Sequence, residues 1–155
     1  MKNKIIIGVV AIVILIAAVF AVITISNNSK QNEGGVQTYE NMDEAAKNVS
    51  FHMEYPDRLC GFPVTGFRSN SSMIEVQYGN NGLIRKTLGV ADNSGNKTEY
   101  TESVEQSVNG ITVTLKGNDG LYYLAVWNDN NFAYTVSAAT GVTVDEMTEY
   151  IEATR

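Results

Sequence analysis

His52 and Cys60 are the lone histidine and the lone cysteine of this 155-residue chain. Between them they bound the covalent chemistry it can perform. A cysteine or serine nucleophile needs a histidine to take its proton and a third group to orient that histidine. Cys60 stands between Leu59 and Gly61 with no matched His and Asn motif, and no G-x-S-x-G turn occurs anywhere. Cys60 therefore reads as a small, partly buried apolar residue, and His52 falls in a segment, 51–55, that reads as extended. One imidazole and one thiol cannot assemble a zinc site, and no G-x-x-x-x-G-K-[ST] loop is present to cradle a phosphate. Residues 92–96, Asp-Asn-Ser-Gly-Asn, carry oxygen ligands in the manner of a calcium loop. Their glycine stands fourth instead of sixth and the distal glutamate is missing, so they read as a solvated turn. Asn27, Asn48, Asn70 and Asn96 begin N-x-S/T sequons, which matter only in a eukaryotic secretory route. The expectation is a protein with no catalytic residue, no metal ligand set and no cofactor.

Charge narrows the partners. From residue 36 onward there are eight Lys or Arg against sixteen Asp or Glu, a net charge of −8, while the first 35 residues carry +2. A surface of that sign repels nucleic-acid backbones and anionic headgroups. Cationic partners remain compatible with it. With one cysteine there is no intramolecular disulfide, so the fold must rest on packing.

Residues 5–25 form an uncharged apolar run of 21. As a helix it would extend about 32 Å, close to the hydrocarbon thickness of a bilayer. Lys2 and Lys4 precede it and favour retention of residues 1–4 in the cytoplasm, with the rest exported. The run is longer than the apolar region of a cleaved signal peptide, and no cysteine at its end could accept a lipid. Residues 26–38, polar and containing a Gly-Gly pair, read as a flexible linker with a reach of roughly 20 Å. Residues 39–155 remain for an exported domain.

Within that domain, Asn41 is placed to cap a short helix bearing Met42, Ala45, Ala46 and Val49 on one stripe. Residues 57–67 hold two glycines and a proline and read as an irregular connection that buries Leu59, Phe62 and Phe67. Strands are expected over 73–78 and 83–90, then over 99–108, 111–116, 121–127 and 132–138, each pair separated by Gly, Asn and Asp. A C-terminal helix begins at Thr143, with Glu146 returning the capping-box bond and Val142 stapled to Met147. Strand 111–116 alternates apolar and polar. Strand 121–127 is apolar on both faces and must be covered on both, either by helices on one side and residues 57–67 on the other, or by a ligand or partner groove.

The runs 44–62, 113–138 and 141–153, with Trp127 ending one strand, an Asp/Asn turn, Tyr134 in the next strand and a Thr-capped helix, resemble the bacterial ectodomains of domain-of-unknown-function family 4367, over about residues 44–153. The resemblance implies a fold and an extracytoplasmic address in anaerobic Gram-positive bacteria, and it transfers no catalytic residue. Some relatives follow an anti-sigma-factor segment, a pattern from which a chain with four residues before its membrane helix departs.

The expected architecture is α+β: an antiparallel meander of five to seven strands with a short N-terminal and a longer C-terminal helix packed on it. The expected function is a non-catalytic binding or sensory-accessory module, held in the cytoplasmic membrane by one helix with the domain outside. Its partner would be an envelope protein or a small apolar ligand. The alternatives are a carrier with an apolar cavity for lipid or lipoprotein chains, and a hydrolase of wall components.

Overall fold

The computed structural model describes residues 35–92 and 94–154. The expected cytoplasmic segment 1–4, membrane helix 5–25 and linker residues up to 34 lie outside them. In chain order the elements are β1 (Gln37–Tyr39), α1 (Met42–Ala46), β2 (Arg58–Leu59), β3 (Phe62–Pro63), β4 (Gly66–Asn70) and β5 (Met73–Gln77). Then come β6 (Gly82–Leu88), β7 (Glu102–Val108), β8 (Ile111–Asn118), β9 (Leu121–Asp129), β10 (Phe132–Val142) and α2 (Val144–Glu152). Among the described residues no helix is long and apolar enough to cross a membrane.

The α+β class and the antiparallel sheet are as expected; the strand count is not. Eight strands pair in the order β1-β4-β5-β6-β10-β9-β8-β7, and β2 and β3 form a separate two-stranded hairpin. The additional strands are those with little apolar content. β4, Gly-Phe-Arg-Ser-Asn, has one large apolar residue, and its Ser69 is buried because the hydroxyl donates to the Ala45 carbonyl at 2.8 Å. β1 pairs Gln37 with Ser69 and Thr38 with Arg68, so the folded body begins inside the stretch that reads as linker.

Two meanders, β4-β5-β6 and β7-β8-β9-β10, join where β6 pairs with β10. Their tight turns follow from residue chemistry. Asn109-Gly110 and Asp119-Gly120 both take positive φ at both positions, which Asn, Asp and Gly tolerate and which matches the strand twist. The joining arrangement has one consequence for function. β6 lies mid-sheet and β7 at the far edge, so the connection between them, residues 89–101, must cross the sheet.

One face carries the core, where Ile74, Val76, Ile84, Leu115 and Val136 share one buried cluster with Met147 and Ile151 of α2. α2 starts as its sequence demands: Thr143 accepts from the Glu146 N–H, the Glu146 carboxylate accepts from the Thr143 N–H at 2.9 Å, and Val142 and Met147 are both buried. Asn41 caps α1 by accepting from the Glu44 N–H at 3.0 Å. The segment at 57–67 lies on this same face, because Leu59 is buried in the core and the Cys60 N–H donates to the Tyr150 hydroxyl of α2 at 2.9 Å. It does not cover the opposite face, and Phe62 is 43% exposed instead of buried. Its hairpin brings Phe62 opposite Leu59, and only Leu59 is inside.

Candidate functional site

The opposite face of the sheet is where an accessible site is built. In β9, Ala125 and Trp127 belong to the core, which leaves Leu124 and Val126 for the other side. A bulge between β8 and β9 shifts the register after Lys116, so that Tyr122 joins the core and Tyr123 meets Tyr100 of the crossing connection, ring centroids 6.1 Å apart. β9 thus has the core on one face and, at Tyr123, the crossing connection on the other.

This strap is fastened along its length. Asp92 lies 4.0 Å from Lys116 Nζ, Asn96 Nδ2 donates to the Tyr100 hydroxyl at 2.8 Å, and Asn118 Oδ1 accepts from the Thr101 N–H at 2.8 Å. Where it begins, the Ser94 N–H donates to Asp92 Oδ1 at 2.9 Å. That bond, aided by the Lys116 charge, holds the Asp92 carboxyl below the usual aspartate range. Asp92 is therefore an ionised anchor at the start of the strap.

Beside the strap an open groove of about 530 Å³ runs to the turn ends of β8, β9 and β10. Asp92, Thr112, Thr114, Asn128, Asp129 and Asn130 supply its polar wall, with Val126 and Ala133 between. Its end is stiffened from behind by a stack of side chains. Trp127 and Tyr134, cross-strand partners, lie ring on ring at 5.1 Å and 4°, and Lys86 Nζ sits 5.1 Å from the Tyr134 ring centre on the core side. Burial and the Asp129 charge push the Tyr134 hydroxyl up, so it stays protonated. A second compartment of about 290 Å³ lies on the same face further along the strap.

The residues that carry covalent chemistry are not brought together. His52 is exposed and lies in an irregular segment, not a strand, and its backbone carbonyl accepts from Lys86 Nζ at 2.6 Å. Cys60 is half-buried in the turn of the β2-β3 hairpin with positive φ. Neither side chain forms a hydrogen bond with a described residue. Among the described residues no three His, Cys, Asp or Glu side chains gather to hold a metal ion.

Sequence reasoning places a groove on the second face of β9 as one of two alternatives, and it assigns residues 99–101 to the strand expected over 99–108, which begins only at Glu102. The signals of the strap are Asn96, Thr98 and Tyr100, alternating with the charged Lys97 and Glu99. The family model for a domain of unknown function (DUF4367) matches residues 53–153, well over half of the chain, and the protein belongs to that family. Comparison with curated proteins and with solved structures gave no match.

Proposed function

We propose that this DUF4367 member is a non-catalytic binding module, tethered by residues 5–25 to a bacterial cytoplasmic membrane and facing outward, and that its partner is an envelope component presenting amine or other cationic groups. The groove walled by Asp92, Asn128 and Asp129 carries the reading. It is large enough for a side-chain cluster or a small ligand. Asp92 is held ionised there by Ser94, and the domain as a whole is strongly acidic, which steers cations toward it. An envelope protein with a basic patch fits this wall better than a small apolar ligand, which would leave the carboxylates and amides desolvated.

The same features weigh against the two alternatives. A carrier of lipid chains calls for apolar walls, whereas these are polar. A glycosidase-type hydrolase calls for one carboxylic acid with a raised pKa, and Asp92 is shifted the other way.

The test uses the full chain in detergent, mixed with solubilised envelope extract and crosslinked. Recovery of one basic envelope component that is lost on Thr112→Arg, a substitution at an exposed position lining the groove, supports the reading. Crosslinking that recovers nothing reproducible, or that is unchanged in the variant, overturns it.

A further inference from the structure

The second compartment on the strap face has a different chemistry. Among the described residues no charged side chain lines it, although the domain carries a net charge of −8. The reason is the alternation of the strap: Asn96, Thr98 and Tyr100 line the compartment while Lys97 and Glu99 are exposed outside it. From the sheet come Tyr123, Asn118 and Ser137.

Several of these groups are oriented yet have hydrogen-bonding capacity left. Asn118 uses Oδ1 to accept from both the N–H and the hydroxyl of Thr101, at 2.8 and 3.0 Å, which fixes its amide and leaves its two N–H donors without a partner among the described residues. Asn96 accepts from the Thr98 N–H and donates to the Tyr100 oxygen, which leaves the Tyr100 hydroxyl hydrogen to donate. The Tyr123, Thr98 and Ser137 hydroxyls bond to no described residue, and among the described residues no buried side-chain polar atom lacks a partner, so these hydroxyls are accessible on residues that line the compartment. Two aromatic rings, inclined by 25°, complete the wall.

A cation would find no carboxylate here, an anion no Lys or Arg, and an apolar ligand would strip water from amide and hydroxyl groups without replacing its hydrogen bonds. What matches is a neutral molecule rich in hydroxyls with one C–H face. We infer that this compartment is a subsite for one uncharged sugar ring, lying with its C–H face on the Tyr100–Tyr123 pair and hydrogen-bonded by the Asn118 amide and the Ser137 hydroxyl. The inference goes beyond the binding role proposed above and does not depend on what the acidic groove holds. The ring would come from a soluble oligosaccharide or from a wall glycan, and the shared chemistry is the uncharged pyranose.

The test takes the full chain in a sugar-free detergent and follows backbone amide shifts or heat on titration with maltotetraose and with an N-acetylglucosamine tetramer as soluble probes. Sedimentation with insoluble wall glycan serves as the polymer arm. Saturable binding of one tetramer supports a soluble ligand, and cosedimentation without tetramer binding supports an extended glycan. Tyr100→Leu should weaken either by about tenfold. Ser137→Ala, a deletion of one oxygen, should weaken it about threefold without moving the melting temperature. Thr112→Arg, in the other groove, should leave it unchanged. No binding of any of the three probes, or binding untouched by both Tyr100→Leu and Ser137→Ala, overturns the inference. The loss of an envelope component on Thr112→Arg would still stand, so the two readings fail separately.

Discussion

The Lys86 ammonium lies 4.7 Å from the centre of the Phe132 ring. It is enclosed by Phe51 and Tyr134 as well and donates to the His52 carbonyl. Burial lowers its pKa below the ordinary lysine value of 10.5 despite the attraction of Asp129 and Glu54. The charged form is therefore disfavoured by folding. Between the lowered native pKa and 10.5 the unfolded chain binds more protons, so stability must rise with pH across that alkaline window. Lys86→Met keeps the volume and removes the charge. The variant should match the wild type within about 1 kcal/mol at pH 7 and lose the rise, measured by urea unfolding from pH 7 to 10. A parallel rise in both proteins would refute the assignment.

Tyr78 works in the opposite sense. It is fully buried, its hydroxyl donates to the Pro56 carbonyl, and burial pushes its pKa far above the ordinary tyrosine value of 10.0. The native state holds this proton more tightly than the unfolded state does. Its contribution is complete below pH 10.0 and is lost progressively above it. Tyr78→Phe should cost about 1 kcal/mol at pH 7, the net value of the hydrogen bond. It should also flatten the fall in stability between pH 10 and 11. Equal alkaline sensitivity in the two proteins would show that other tyrosines dominate.

Legibility in the sequence followed the range of the interactions. Turns and caps depend on residues within four positions of each other, so Asn109-Gly110, Asp119-Gly120 and the Thr143–Glu146 box were readable directly, and with them the β7-to-β10 meander. β4 was not, because what makes it a strand is remote: Ser69 bonds to Ala45, and Arg68 faces Glu75 of the next strand. The covering of β9 was legible as a requirement and misattributed to 57–67. Which loop crosses which face depends on where β7 joins the sheet, and no local pattern encodes that. The neutral compartment was hidden for the same reason, since Tyr100 and Tyr123 meet only when the strap is in place. The ionic contact of Asp92 with Lys116 was not readable either.

Gly117 has no left-handed φ, and its requirement is steric. It sits at the β8-β9 bulge, where a Cβ would collide with the Leu121 carbonyl and approach Tyr122 Cα to 2.9 Å. These are backbone atoms and cannot swing aside. Gly117→Ala should cost about 3 kcal/mol, at the upper end of ordinary overpacking. By disturbing the bulge it should also part Tyr123 from Tyr100. Calorimetry gives the first effect, and the amide shifts of Tyr123 and Tyr100 give the second. A substitution that leaves the melting temperature within a degree would mean that the bulge relaxes freely.

Glu75 is completely buried on the face away from the core, between Arg85 on β6 and Arg68 on β4. Arg85 Nε reaches Glu75 Oε2 at 2.9 Å, and Arg68 Nη1 reaches Oε1 at 3.5 Å. Gln77 Nε2 adds a bond at 3.3 Å. Each carboxylate oxygen is thus occupied, which is the condition under which a buried ion is tolerated. Removing the carboxylate charge takes away the ion pair that Glu75 makes with the mostly buried Arg85. Glu75→Gln should therefore destabilise by about 3 kcal/mol. Adding Arg85→Met to it should recover part of that loss, because the double variant removes the guanidinium closest to the lost carboxylate and leaves only the more exposed Arg68 facing position 75. Arg85→Met alone should cost less than Glu75→Gln, since Arg68 still faces the carboxylate. A double-mutant cycle in urea gives the coupling energy. Strictly additive losses would mean that the two side chains act independently and that Glu75 is held by its neighbours' packing alone.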